Sequence, residues 1–126
     1  MGMAMRLSDP GWWCMVAEQD GVAGGTVAFM PASQHRRASE EPGLAHLLNL
    51  FVRPPLWGTG LAARLHGAAV AEATARGFTA MRLFTPSEQQ RARRFYEREG
   101  WAPAGDPHVE ADLGGLEIVE YRRPLG

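Results

Sequence analysis

The residues from Leu47 to Ala75, LLNLFVRPPLWGTGLAARLHGAAVAEATA, constrain the fold more than any other stretch. Leu47–Val52 is an apolar run of strand length, and Pro54 and Pro55 cannot continue it. Gly58-Thr59-Gly60 follows. Neither glycine has a Cβ, so the backbone can turn sharply there and a ligand can lie against it. From Leu61 the spacing is helical, with Leu61, Leu65, Ala69 and Ala73 at every fourth position beside Ala62, and Gly77 is a natural helix stop. A glycine turn that opens a helix exposes unpaired N–H groups at the positive end of the helix dipole, which suits phosphate.

Around that unit the chain divides simply. Trp12–Glu18 and Val22–Met30 are strands joined by Gln19-Asp20-Gly21, and Asp-Gly is a strong hairpin signal. Gly24-Gly25 marks a bulge in the second strand. Pro31–Gly43, with Gln34, His35, Arg36, Arg37, Glu40 and Glu41, is expected to be an exposed, mobile loop that borders a substrate site or is simply solvated. Phe78–Phe84 is a second apolar strand, so strand, helix and strand form a parallel βαβ unit with a right-handed crossover. Thr85-Pro86-Ser87-Glu88 has the pattern of a capping box, with Pro at the first helical position, and predicts a helix to about Glu99 ended by Gly100. A short strand over Trp101–Gly105, a polar connection over Asp106–Gly115 and a last strand over Leu116–Arg122 complete one domain over 1–126. The expected class is mixed α/β with about five to seven strands.

Composition narrows the function. The net charge of −1 argues against nucleic acid or an acidic membrane surface as an obligate partner. All the basic residues are Arg, which suits bidentate contacts to carboxylate or phosphate. Cys14 is the only cysteine, so no intrachain disulfide forms, and it is either a small buried strand residue or a thiol nucleophile. No apolar run reaches the ~20 residues of a membrane span. MGMAMRLSDP is too short and polar for a signal peptide. A cytoplasmic protein is expected. Four His and one Cys without close ligand pairs do not form a metal set.

Walker-type nucleotide binding requires a Lys that is absent here. Gly58-Thr59-Gly60-Leu61-Ala62-Ala63 matches the dinucleotide fingerprint, but the next strand ends in Phe84-Thr85-Pro86 without the acidic ribose ligand. A third reading rests on two motifs together. FVRPPLWGTGLAARL and RARRFYEREGW resemble the GCN5-related N-acetyltransferase (GNAT) family. Val52, Pro54, Gly60 and Ala62 fit its first motif, with Trp57 where Arg or Gln is usual. Ala92, Tyr96, Gly100 and Trp101 fit its second, with Gln89 in place of Asn.

The resemblance implies an acetyl-CoA-dependent N-acetyltransferase acting on a primary amine of a small molecule, peptide or protein. It implies a mostly antiparallel sheet with a central splayed parallel pair and two main helices. Pantetheine would enter the splay and pair with Leu50, Phe51 and Val52, and diphosphate would rest on backbone N–H groups of Trp57, Gly58, Thr59, Gly60, Leu61 and Ala62, with Gln89 and Ala92 on the opposite helix. A strand N–H near Leu50 would hold the oxyanion, and Tyr96 would be the acid for the departing thiolate. His46, on the face of Leu50 by strict alternation, would be the base or a half-buried sheet histidine; histone-acetylating relatives carry Glu at that position. His66 and His108 are expected to be bystanders. The family usually opens with a strand and one or two helices, for which this chain has only about ten residues: it is a minimal form, or a partner subunit supplies the acceptor wall, or the start is truncated. Exposed strand edges and the missing N-terminal layer suit a homodimer. The alternatives are a non-catalytic acyl-CoA-binding or regulatory module and an NAD(P)-binding protein.

Overall fold

The computed structural model describes residues 2–8 and 11–126; Met1, Asp9 and Pro10 of the N-terminal stretch lie outside them. The first third is a three-stranded antiparallel meander of β1 (Gly2–Ser8), β2 (Trp13–Gln19) and β3 (Val22–Pro31). β1 lacks a sequence signal, because its residues carry no clean apolar alternation. The β2–β3 turn is Asp20-Gly21, with φ of 52° and 79°, the left-handed pair that this hairpin turn requires. The register slips between Ala17 and Glu18 opposite Gly25 and Ala23, which puts the expected bulge at Gly24.

β4 (Leu44–Val52) pairs antiparallel with β3, and α1 (Leu61–Ala75) carries the chain across to β5 (Ala80–Pro86), parallel to β4. β8 (Leu116–Pro124) then pairs antiparallel with the whole of β5. Two short strands, β6 (Ala102–Pro103) and β7 (His108–Glu110), share the far edge of β8. β7 falls in the segment expected to be a plain polar connection. The result is one eight-stranded, mostly antiparallel sheet. Among the described residues no helix is long and apolar enough to cross a membrane. Cys14 is a free, half-buried thiol on β2.

The second helix, α2 (Gln90–Arg98), starts later than the capping-box pattern suggests. Thr85 and Pro86 are still strand residues, paired with Val119 and Ile118, and the residue before α2 is Gln89 with no side-chain cap. The ladder to β8 outcompetes the local cap. A proline tolerates this position because it ends the strand.

The core lies between one face of the sheet and the two helices. α1 contributes Leu61, Leu65, Ala69 and Ala73, all buried, against Val27, Phe29, Ala45, Leu47 and Met81. Trp13 stacks on Phe29 at 5.4 Å between ring centroids. Trp101 and Tyr121 are buried with them, and Tyr96 packs alongside from α2. Gly25 lies tight between β4 and α1: a Cβ there would stand 2.8 Å from the Phe51 carbonyl oxygen and 2.9 Å from Leu65 Cδ1.

Gly25→Ala should therefore lower unfolding free energy by roughly 1–3 kcal/mol, since backbone cannot yield as a side chain can. Gly67→Ala, in open space within α1, should raise it by ~0.5–1 kcal/mol. Urea titrations of both variants check the pair; an unaffected Gly25→Ala protein contradicts the close approach.

Candidate active site

β4 and β5 hold together for only three residue pairs, Leu44–Ala80, Ala45–Met81 and His46–Arg82. Beyond them β4 follows β3 and β5 follows β8, and the two strands part. A bulge in β4 lies within the parted stretch. Thr26 pairs with Phe51 and Ala28 with Leu48, so Asn49 and Leu50 together oppose Val27. Asn49 has φ 56°, and its carbonyl accepts a hydrogen bond of 2.9 Å from Thr26 Oγ1.

A cavity of about 610 Å³ opens at this fork on the helical face. One wall is Leu50, Phe51 and Val52 of β4, continuing through Trp57, Gly58 and Gly60 to Leu61 and Ala62 at the start of α1. The other is Gln89, just before α2, with Ala92, Phe95 and Tyr96 of α2. Most of the residues named from the sequence thus meet in one place, although they come from four segments.

The loop before α1 could hold an anion. Gly58 and Gly60 have φ of 81° and 84°, and a Cβ at either would meet nothing within 4 Å, so the turn faces open space. Gly60 precedes α1 without any side-chain cap. The amides of Trp57 and Thr59 are spent inside the turn, on Pro54 O at 3.1 Å and Leu56 O at 3.3 Å. Those of Gly58, Gly60, Leu61, Ala62 and Ala63 have no backbone partner among the described residues. Thr59 also turns its hydroxyl back to Leu56 O at 2.6 Å, and it does not line the cavity. The donor set is therefore narrower than the run from Trp57 to Ala62. A diphosphate fits it, because N–H donors at a helix start bind an anion without side-chain charge.

Tyr96 lines the cavity and packs against Phe95, Trp101 and Tyr121. Burial pushes its phenol up to about 12, so the group stays protonated and remains a hydrogen-bond donor throughout the neutral range.

His46 is placed differently from the expectation. It opposes Met30 while Leu47 opposes Phe29, and the bulge then inserts an extra residue before Phe51. Strict alternation fails at that point. Leu50 packs with the core on the helical face, whereas His46 stands on the other face, outside the cavity lining. There it is buried beneath His35, ring centroids 3.9 Å apart, and beside Phe84 at 5.2 Å. Arg82 Nε donates to His46 Nδ1 at 3.0 Å, which leaves the neutral ring's proton on Nε2. Burial, then His35 and Arg82, lower its pKa to about 3.

The Pro31–Gly43 segment is fastened to this cluster rather than standing free. Arg82 Nη2 donates to Arg37 O, Arg37 pairs with Glu110, and Glu110 also meets His108 Nε2 at 2.8 Å. His66, too, has a structural role: it is buried in α1 and accepts a 2.8 Å hydrogen bond from Trp101 Nε1, tying α1 to the end of α2. Sequence reasoning also missed Arg91, Arg94 and Arg98 in the lining. Their spacing along one helical face is visible in the sequence, but the cleft that the face borders is not.

Burial lowers the pKa of His46, His66 and His35 alike. The folded chain thus binds these protons more weakly than the unfolded chain, whose imidazoles titrate near 6.5. Stability should be full above pH 6.5 and fall as the pH drops below it, with His46 alone contributing a loss on the order of 3 kcal/mol by pH 4. His46→Asn should flatten the dependence of the urea midpoint on pH between 6.5 and 4; an unchanged slope contradicts the buried neutral imidazole.

Comparison with known proteins agrees with this geometry. Residues 3–101 match the acetyltransferase (GNAT) family. A search of curated proteins finds no match. Among solved structures, an acetyltransferase of the GNAT family from Streptococcus pneumoniae superposes with a TM-score of 0.76 at 20% identity, covering 94% of this chain and 70% of that one. IAA acetyltransferase from Bacillus cereus gives 0.71 at 17%, covering 90% and 78%. The yncA protein of Salmonella typhimurium, in a structure with its cofactor acetyl-CoA, gives 0.77 at 21%, covering 93% and 66%. At these identities the neighbours establish a shared fold, and the match over residues 3–101 establishes kinship: the chain belongs to the acetyltransferase (GNAT) family.

Proposed function

We propose that the protein is a cytoplasmic acetyl-CoA-dependent N-acetyltransferase that moves an acetyl group to a primary amine of a small molecule, peptide or protein. One observation carries the reading: the cavity at the fork of β4 and β5 joins an uncapped helix start to unpaired strand edge and to Tyr96. Diphosphate rests on the amides of Gly58, Gly60, Leu61 and Ala62. Pantetheine runs along Leu50, Phe51 and Val52, whose edge toward β5 has no partner strand among the described residues.

The amine attacks the thioester carbonyl, a C–N bond forms, and the C–S bond breaks. A main-chain N–H near Leu50 at the bulge stabilises the tetrahedral oxyanion, a contribution of about 3 kcal/mol in comparable sites. Tyr96 donates a hydrogen bond to the departing sulfur. A phenol held near 12 is a weaker acid than a thiol of about 8.5, so Tyr96 stabilises the thiolate more than it transfers the proton outright. His46 is ill suited to accept the amine proton, because its Nδ1 takes the Arg82 N–H and its basicity is low. Water is the acceptor in this reading.

CoA release with a panel of amines tests the assignment. Tyr96→Phe should lower kcat roughly 100-fold with acetyl-CoA affinity retained; an unchanged kcat removes Tyr96 from the chemistry. Tight acetyl-CoA binding without turnover on any amine would make the protein a binding module, and stabilisation by NAD(H) alone would discard the acyl-CoA reading. Gly60→Asp places a carboxylate at the helix start and should weaken acetyl-CoA at least about tenfold, while Gly60→Asn, of the same shape without the charge, should weaken it far less. Equal affinities in the two variants would move the phosphates elsewhere. The pH–rate profile of His46→Asn should keep the native shape; loss of an inflection would make His46 the base.

A further inference from the structure

Trp57 is a large side chain left 51% exposed at the cavity mouth, yet it is firmly held. Its Nε1 donates to Val52 O at 2.9 Å, and the Arg91 guanidinium lies over its ring, 4.5 Å from the centroid. Trp57 belongs to the loop before α1 and Arg91 to the first turn of α2, so this contact bridges the two walls of the cavity. The lining carries Arg91, Arg94 and Arg98 and no acidic side chain. Those three arginines are spaced to share one helical face. No acidic group pairs with them among the described residues, whereas Arg93, on another face of α2, is engaged by Tyr121 Oη and Ser87 O. Glu97 of the same helix is occupied by the Tyr121 hydroxyl at 2.6 Å. The cleft therefore has cationic side chains opposite the bare amides of α1.

We propose that Arg91 is a phosphate clamp for the bound acyl-CoA and that Trp57 is its positioning residue. The proposal rests on the acetyl-CoA reading above. With its carbon 4.5 Å over the indole centroid, the guanidinium sits in cation–π range while its five N–H donors stay in the plane of the group. It can thus hold the ring and grip a phosphate at once. A Lys ammonium has no such fork. The clamp supplies from α2 a charge that the α1 loop lacks, and it closes the mouth over the ligand.

Calorimetric titration with acetyl-CoA and with 3′-dephospho-acetyl-CoA tests this on native protein, Arg91→Gln, Arg91→Lys, Trp57→Ala and the double variant, each checked for a native melting profile. Arg91→Gln should weaken acetyl-CoA about tenfold or more, with kcat at saturating cosubstrate within about twofold of native. Arg91→Lys should recover only part of that loss. Trp57→Ala should weaken binding in native protein but add little in the Arg91→Gln background, because the two act as a unit. A loss that is equal for both ligands assigns the clamp to the diphosphate, and a loss confined to acetyl-CoA assigns it to the 3′-phosphate; either supports it. Native affinity in Arg91→Gln for both ligands overturns the clamp, and fully additive losses overturn the role of Trp57. Failure of native protein to bind either ligand would instead remove the acetyl-CoA reading itself.

Discussion

The parting of β4 from β5 after His46 and Arg82 is the constraint on which the rest depends. On its outer side β5 stays paired with β8 along its length, and β4 stays paired with β3 on both sides of its bulge, so the sheet opens at its middle without losing either half. The opening exposes main-chain donors and acceptors that a closed sheet would consume. The bulge at Asn49 and Leu50 bends β4 where the gap lies. α1 is then held against β3 and β4 by Leu61, Leu65, Ala69 and Ala73, and its start is delivered to the mouth of the opening.

The two faces of the seam are used differently. On the helical face the gap becomes a cavity walled by α1 and α2. On the other face the closed end of the seam is sealed by a stack of neutral imidazoles and an arginine: His35 over His46, with Arg82 reaching from β5 to His46 and to the Pro31–Gly43 segment. This explains why His46, next to the fork in sequence and space, is a poor proton acceptor. Its surroundings favour holding two strands and a loop together, and a charged ring would break that arrangement.

Much of this was legible in the sequence where the signal is local. The period of α1, the Asp20-Gly21 turn and the glycines before Leu61 punctuate the chain unambiguously, and the two motifs together led to the family. What failed was non-local. Thr85-Pro86-Ser87-Glu88 has every mark of a helix start, but pairing of Thr85 and Pro86 with β8 keeps them in the strand. Thr26 Oγ1 holds the β4 bulge through the Asn49 carbonyl, a contact 23 residues away in sequence, so counting by twos puts His46 on the wrong face. Thr59 resembles an anion ligand by position, yet the turn uses both its amide and its hydroxyl internally.

Amide chemical shifts, followed by heteronuclear NMR during titration with acetyl-CoA, test the central claim most directly. The account predicts the largest perturbations at Gly58, Gly60, Leu61 and Ala62, with a second group at Leu50 to Val52, and little change around Asp20 or Glu110. Perturbations concentrated elsewhere, with the amides of the α1 start and of β4 unmoved at saturation, would contradict it.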